Sequence, residues 1–166
     1  MIERDYQPFD DSLLFGESAQ DRVAEILRVA GGKADKKDGR AKYDFELIFH
    51  DHVFRVEVKC EDRKAHTGNI CVEVMQGRDQ RPSGVAWSEA TVCVHTLARE
   101  AAVYRRREMY HHVREMYRKS GRSSLKSFGD NRNLGYILPI AKLCEFPEWF
   151  DYRPLSTLAD SAIWLS

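Results

Sequence analysis

Between Tyr43 and Cys60 the chain reads YDFELIFHDHVFRVEVKC, with apolar and polar residues alternating on both sides of His50-Asp51. This period of two predicts two β-strands joined by a tight turn, a β-hairpin. With His50 and Asp51 as the loop residues, Phe49 lies opposite His52, Glu46 opposite Arg55, and Asp44 opposite Glu57. One face then carries Asp44, Glu46, Arg55, Glu57 and Lys59. The other carries Phe45, Leu47, Phe54, Val56 and Val58, a continuous apolar face fit for a core. A slip of one residue would turn one strand's polar set into that core, so the pattern itself fixes the register.

Around the hairpin the periodicity changes. Met1 to Ser12 reads as an extended lead-in. From Gly16 to Ala30 the residues Ala19, Val23, Ile26, Leu27 and Ala30 recur at helical spacing, and Gly31-Gly32 stops the helix. Lys33 to Lys42 reads as a charged loop. Ile70 to Met75 alternates again, with Cys71 and Glu73 on one face; if this strand continues the sheet beside Glu57, Glu73 projects to the same side as Glu57. A turn-rich loop follows from Gln76 to Gly84. Ser88 caps a brief turn at Glu89-Ala90, and strands are expected near Thr91 to Leu97 and Val103 to Arg105. Met109, Tyr110, Val113, Met116 and Tyr117 form a helical stripe from Arg106 to Lys119, ended by Gly121. Leu134 to Pro139 reads as another strand. The sequence thus predicts one α/β domain over residues 1–166, a mixed β-sheet flanked by helices, with its core at about 15–143. The aromatic tail, 144–166, is expected to pack back on the domain, with a homodimer contact as the alternative.

The hairpin register has a chemical consequence. Asp44 and Glu57 meet from adjacent strands, about 5 Å apart at Cβ, with the Lys59 ammonium beside them. Glu46 with Arg55 is an ordinary cross-strand ion pair, and Asp44 with Lys59 can be a solvated diagonal pair. Like charges directly opposite are unfavourable without a cation between them. Mg²⁺, with oxygen ligands at ~2.1 Å, would remove that repulsion and leave positions for water and a phosphate oxygen.

Asp44 followed by Glu57-Val58-Lys59 at the end of the next strand resembles the signature of the PD-(D/E)XK nuclease superfamily, with Tyr43 in place of its proline. GES at Gly16 to Ser18 opens a helix before the hairpin, as a family acidic residue often does. TGNICVEV (Thr67 to Val74), RPSGVAWSEA (Arg81 to Ala90) and FGDNRNLGYILPI (Phe128 to Ile140) are similar to a bacteriophage-associated branch of these nucleases. The resemblance spans Phe15 to Leu143.

That resemblance implies a restriction-endonuclease-like fold and a metal-dependent DNA endonuclease, phage or prophage encoded. Asp44, Glu57 and the Val58 carbonyl would hold Mg²⁺ or Mn²⁺. Lys59 would either orient and deprotonate the attacking water or stabilise the pentavalent phosphate. Glu17 would be an outer carboxylate, against the ordinary reading of an acid in a helix's first turn. Glu73 would be a further ligand or would orient Lys59. Attack would displace the 3′ oxygen and leave a 5′ phosphate. A Holliday-junction resolvase acting as a dimer, and an inactive DNA-binding or assembly module, are the alternatives.

Composition changes this picture little. The net charge is zero, yet Arg99 to Arg132 holds ten basic residues against four acidic ones, as suits either a nucleic-acid surface or a solvated helix face. Arg78, Arg81, Arg107 and Arg114 are the candidate phosphate contacts, since arginine forks match phosphate oxygens. Trp87 can stack on a base, but an aromatic on a short helix is more often core. His95 reads as a satisfied histidine rather than a base, and the HDH tip serves only its turn. The four cysteines lack metal-ligand spacing and read as buried free thiols. The N-terminus, MIERDYQPFDD, is acidic and lacks an apolar stretch, which predicts no membrane anchor and a cytoplasmic protein, in the bacterial host cell if phage encoded.

Overall fold

The hairpin forms at the predicted register: β2 (Phe45–Phe49) and β3 (His52–Cys60) pair antiparallel with Phe49 opposite His52 and Glu46 opposite Arg55. His50 and Asp51 both take positive φ, 50° and 62°, the left-handed geometry a two-residue hairpin loop needs to match the twist of its strands. A computed structural model describes the backbone of residues 9–61, 67–128 and 133–165, with side chains from Ser18 onward.

The described residues form two sheets. The larger has six strands in the order β1-β2-β3-β6-β7-β10, where β1 is Lys33–Lys36, β6 Val92–Leu97, β7 Glu100–Arg105 and β10 Phe150–Pro154. Only the β3–β6 pair among these is parallel, so the sheet is mixed. The smaller sheet, β5-β4-β9-β8, is antiparallel and comprises β4 (Asn69–Gln76), β5 (Arg81–Pro82), β8 (Lys126–Phe128) and β9 (Asn133–Pro139). Among the described residues three α-helices accompany the sheets: α1 (Phe9–Val29), α2 (Arg106–Ser120) and α3 (Ile140–Leu143). The fold class is therefore the expected one, a mixed sheet flanked by helices.

Each face of the large sheet has its own core. On one face Phe45, Leu47, Val56, Val58, Val92, Val94 and Val103 pack against Ala19, Val23, Ala24 and Leu27 of α1 and against Trp164 from the C-terminal segment. On the other, Cys93, Ala102, Tyr104 and Phe150 pack against Ile70, Val72, Val74, Tyr136 and Leu138 of the small sheet and Met109 and Val113 of α2. Because Val56 and Val58 point into the first core, the alternation of β3 turns Glu57 and Lys59 toward the second.

Four expectations are corrected. First, α1 begins at Phe9, so Phe9 to Ser12 is helix and not lead-in; Met1 to Pro8 lie outside the described residues. Second, Lys33 to Lys36 is a strand where a loop was expected. It is the sheet's edge, and a KADK strand satisfies its hydrogen bonds toward β2 while its charges discourage a further strand. Third, β4 does not continue the sheet beside Glu57. All six positions of β6 are buried, which suits an interior strand covered on both faces, whereas β4 alternates and suits a sheet with one covered face. Fourth, the tail packs back on the domain as expected, but as part of the large sheet rather than outside a core at 15–143: it supplies β10, paired with β7, and buries Trp164 fully.

Candidate active site

Asp44 stands just before β2, where the ladder ends at Phe45 opposite Val56. Its N–H donates to the Val56 carbonyl at 2.9 Å, and its Oδ2 accepts the Val58 N–H at 2.7 Å. Asp44 is thus latched to the backbone of β3, a closer attachment than the cross-strand position opposite Glu57 that the sequence predicts. The Val58 carbonyl faces the same edge as its N–H, past the end of the ladder. Burial, chiefly, with the charge of Glu57, raises the Asp44 carboxyl to about 6 despite the Val58 N–H and the Lys59 ammonium, which pull it down.

Glu57 and Lys59 project two residues apart on the same face of β3, and the Lys59 ammonium meets Glu57 Oε1 at 2.6 Å. Burial pulls the ammonium's pKa down, but the charges of Glu57, Asp44 and Glu73, with the Glu57 hydrogen bond, outweigh it and hold Lys59 above its ordinary value. Lys59 is 47% exposed, within reach of a ligand from solvent. Ser88 Oγ lies 3.4 Å from Glu57 Oε2 and donates to the Lys42 carbonyl at 3.0 Å, tying the segment after the Gly84–Ala86 turn to the strand bearing the acid.

Glu73 reaches this place from the opposite sheet. It lines, with Glu57, Lys59, Glu61 and His95, a cavity of about 150 Å³ between the two sheets. A β-bulge between Glu73 and Met75 re-aims the strand there. The Ser83 hydroxyl donates to the Glu73 carboxylate. Gly84, at φ +51°, packs so tightly that a Cβ would sit 2.3 Å from the Glu73 carbonyl oxygen.

Beneath the cavity runs a buried chain of polar groups that the sequence did not disclose. His95, 2% exposed and opposite Lys59 in the β3–β6 register, places Nδ1 2.9 Å from Glu61 Oε1 and Nε2 2.9 Å from the Tyr104 hydroxyl. Glu61 also accepts the Cys71 N–H at 3.0 Å, joining the large sheet to the small one. Burial pushes Glu61 up, but the His95 hydrogen bond and charge and the Cys71 N–H outweigh it and lower its pKa. Tyr104 is held protonated well above its ordinary range by burial. The expectation of a satisfied core histidine is correct; what sequence lacked was its partners, thirty-four residues away in one case and nine in the other.

The remaining candidates are more scattered. Arg78 and Arg81 lie exposed around the β4–β5 turn, Arg81 paired with Asp79 at 3.3 Å. Arg107 and Arg114 are exposed on α2, and Arg114 lines a separate groove with Tyr110, Tyr117 and Tyr136. None of these four lines the cavity. The Glu17 side chain lies outside the described residues. Cys93 is buried, Cys60 and Cys71 are half-buried and Cys144 is exposed; none of the four is in a disulfide, and burial holds for three at most.

Among the described residues no three His, Cys, Asp or Glu side chains gather as a metal site. Two carboxylates and a backbone carbonyl are a different donor set. Asp44, Glu57 and the Val58 carbonyl offer only hard oxygens, and the raised Asp44 pKa reflects a buried acid beside another acid, where positive charge is favoured. That set fits Mg²⁺ or Mn²⁺.

No protein-family model and no curated protein matches the chain. Among solved structures, one described as a bacterial homing endonuclease, I-Ssp6803I, is similar over 57% of this chain and 68% of its own, at 20% identity and a TM-score of 0.46. The activity must be read from the site itself. Among the described residues no helix is long and apolar enough to cross a membrane.

Proposed function

We propose that the chain is a metal-dependent DNA endonuclease that hydrolyses phosphodiester bonds, and that it belongs among the phage-associated PD-(D/E)XK nucleases its sequence resembles. The observation that carries this reading is the cluster at the end of the hairpin. Asp44 is latched to the backbone beside Glu57, and Lys59 is ion-paired to Glu57 where both line the cavity between the sheets.

Asp44, Glu57 and the Val58 carbonyl would hold Mg²⁺ or Mn²⁺, which when bound supplies Lewis acidity toward the phosphate and the attacking water. Asp44 must be ionised for this, and its burial makes the free protein reluctant to ionise it below about pH 6. Lys59, held as an ammonium by the surrounding carboxylates, stabilises negative charge as it accumulates on the phosphate oxygens rather than serving as the base. Glu73 contributes to that charge and orients the ammonium across the cavity. Water oxygen bonds to phosphorus as the bond to the 3′ oxygen breaks; the electron pair and a proton go to the 3′ oxygen, and the 5′ phosphate remains. Arg78, Arg81, Arg107 and Arg114 lie where they can meet the backbone away from the cut.

End-labelled DNA incubated with Mg²⁺, Mn²⁺ or EDTA tests the proposal. The expected products appear only with a divalent cation and carry 5′ phosphates. Folded protein that leaves duplex, single-stranded and branched DNA intact under every cation contradicts it and favours a binding module.

A further inference from the structure

Three tryptophans occur in the chain, and they differ sharply. Trp164 is fully buried and Trp149 is 8% exposed, whereas Trp87 is 55% exposed. An indole has much apolar surface to gain from burial, so one left more than half exposed and carrying a cation on its face is available to a flat ligand.

Its position is fixed by neighbours that also build the site. Trp87 closes the Gly84–Ala86 turn, its N–H donating to the Gly84 carbonyl at 3.1 Å. The next residue, Ser88, is the one whose hydroxyl lies 3.4 Å from Glu57 Oε2. Gly84, Val85 and Ser88, on either side of Trp87, line the cavity, and consecutive Cα atoms are ~3.8 Å apart, so the backbone of Trp87 runs beside the cavity wall while its indole is left exposed. The Lys42 ammonium stands 4.0 Å over the ring centroid and is itself held by Glu89 at 2.9 Å. Nearby, the Arg55 guanidinium lies 5.5 Å over the Tyr43 ring, next in sequence to Asp44. An exposed flat ring carrying a cation, one residue from the serine that approaches the Glu57 carboxylate, matches a nucleobase on its aromatic surface and a phosphate on its charge.

We propose that Trp87 is a base-stacking platform that takes an unpaired nucleobase of the strand being cut, with Lys42 meeting the adjoining phosphate. This rests on the nuclease reading of the site. A base inside a duplex offers only its edges, so the platform selects strands whose bases are free to splay out: single strands, frayed ends or branch points.

The test reads tryptophan emission while an oligothymidylate of about 12 nucleotides is added in EDTA, with binding followed independently by anisotropy of a labelled copy. Binding is expected to quench the wild-type emission and to leave that of Trp87→Phe, which retains only the two buried indoles, nearly unchanged. Trp87→Phe, still aromatic, is expected to bind within about 3-fold of wild type, and Trp87→Ala about 10-fold more weakly, with little change for blunt duplex. Circular dichroism establishes that both variants are folded. Binding without quenching, equal binding by wild type and Trp87→Ala, or no binding at all overturns the platform. Quenching without cutting under any cation would instead sink the nuclease reading and leave the platform standing.

Discussion

The Val58 N–H donates to Oδ2 of Asp44 at 2.7 Å, so the carboxylate preceding one strand is fastened to the middle of the Glu57-Val58-Lys59 run on the next. Asp44, Glu57 and Lys59 are therefore held together at the end of the hairpin by its backbone pairing, and a shift in register would separate them. Fastening has a cost: it keeps an acid in a place where burial and Glu57 oppose its charge.

That cost is measurable in metal-free protein. With its pKa raised from 3.8 to about 6, Asp44 in the folded state keeps a proton that the unfolded chain has lost. Its contribution to stability is full below about pH 4 and is lost as pH rises through about 6. In EDTA at pH 8, Asp44→Asn should therefore be more stable than wild type, by on the order of 1 to 2 kcal/mol, and at pH 4 the difference should vanish. Urea unfolding at the two pH values measures it. Added Mn²⁺ should raise the midpoint of wild type and leave that of Asp44→Asn nearly unchanged.

Glu61 has the opposite sign. Its lowered pKa makes it a stabilising group above the unfolded carboxyl range, and that contribution is lost as pH falls through its folded value. His95→Ala leaves Glu61 and the Tyr104 hydroxyl without their shared partner and should cost about 2 to 4 kcal/mol in urea unfolding at pH 7. Glu61→Gln should remove the decline in stability that this acid causes as pH falls below the ordinary carboxyl range.

Gly84→Ala should be severe for its size. The new Cβ would stand 2.3 Å from the Glu73 carbonyl oxygen, and the φ of +51° is one L-residues rarely adopt. A loss of about 2 kcal/mol or more is expected from denaturation, with cleavage falling further than stability, because the same turn carries Ser83 against Glu73 and leads to Ser88 beside Glu57.

Arg78→Ala and Arg107→Ala should act on affinity alone. Each removes an exposed cation away from the cavity and should lower the slope of log K against log salt by about 1, without changing the rate of cutting by saturated enzyme.

Much of this arrangement is legible in the residues because it depends on local patterning. The alternation around His50-Asp51 specifies strands, turn and register, and so puts Glu57 and Lys59 on one face. The stripe through Val113 likewise specifies α2. What escapes is set by distant partners. Nothing near Glu73 tells that β6 takes the place beside β3, so its approach to Lys59 from a second sheet follows only from which strand needs both faces covered. The Glu61–His95–Tyr104 chain joins the residue just after β3 to residues of β6 and β7, each an unremarked polar or aromatic position alone. Trp87, expected in the core, is exposed because the Gly84–Ala86 turn buries Val85 and turns the next indole outward.

The most direct test of the site is Lys59→Ala. Linear duplex, single-stranded and four-way-junction DNA are offered to wild type and variant with Mg²⁺, Mn²⁺ or EDTA, and circular dichroism verifies that both are folded. The site predicts divalent-dependent cutting by wild type that falls by about 10³-fold or more in the variant, as expected when a charge aimed at the transition state is removed. Equal cutting by Lys59→Ala would contradict it.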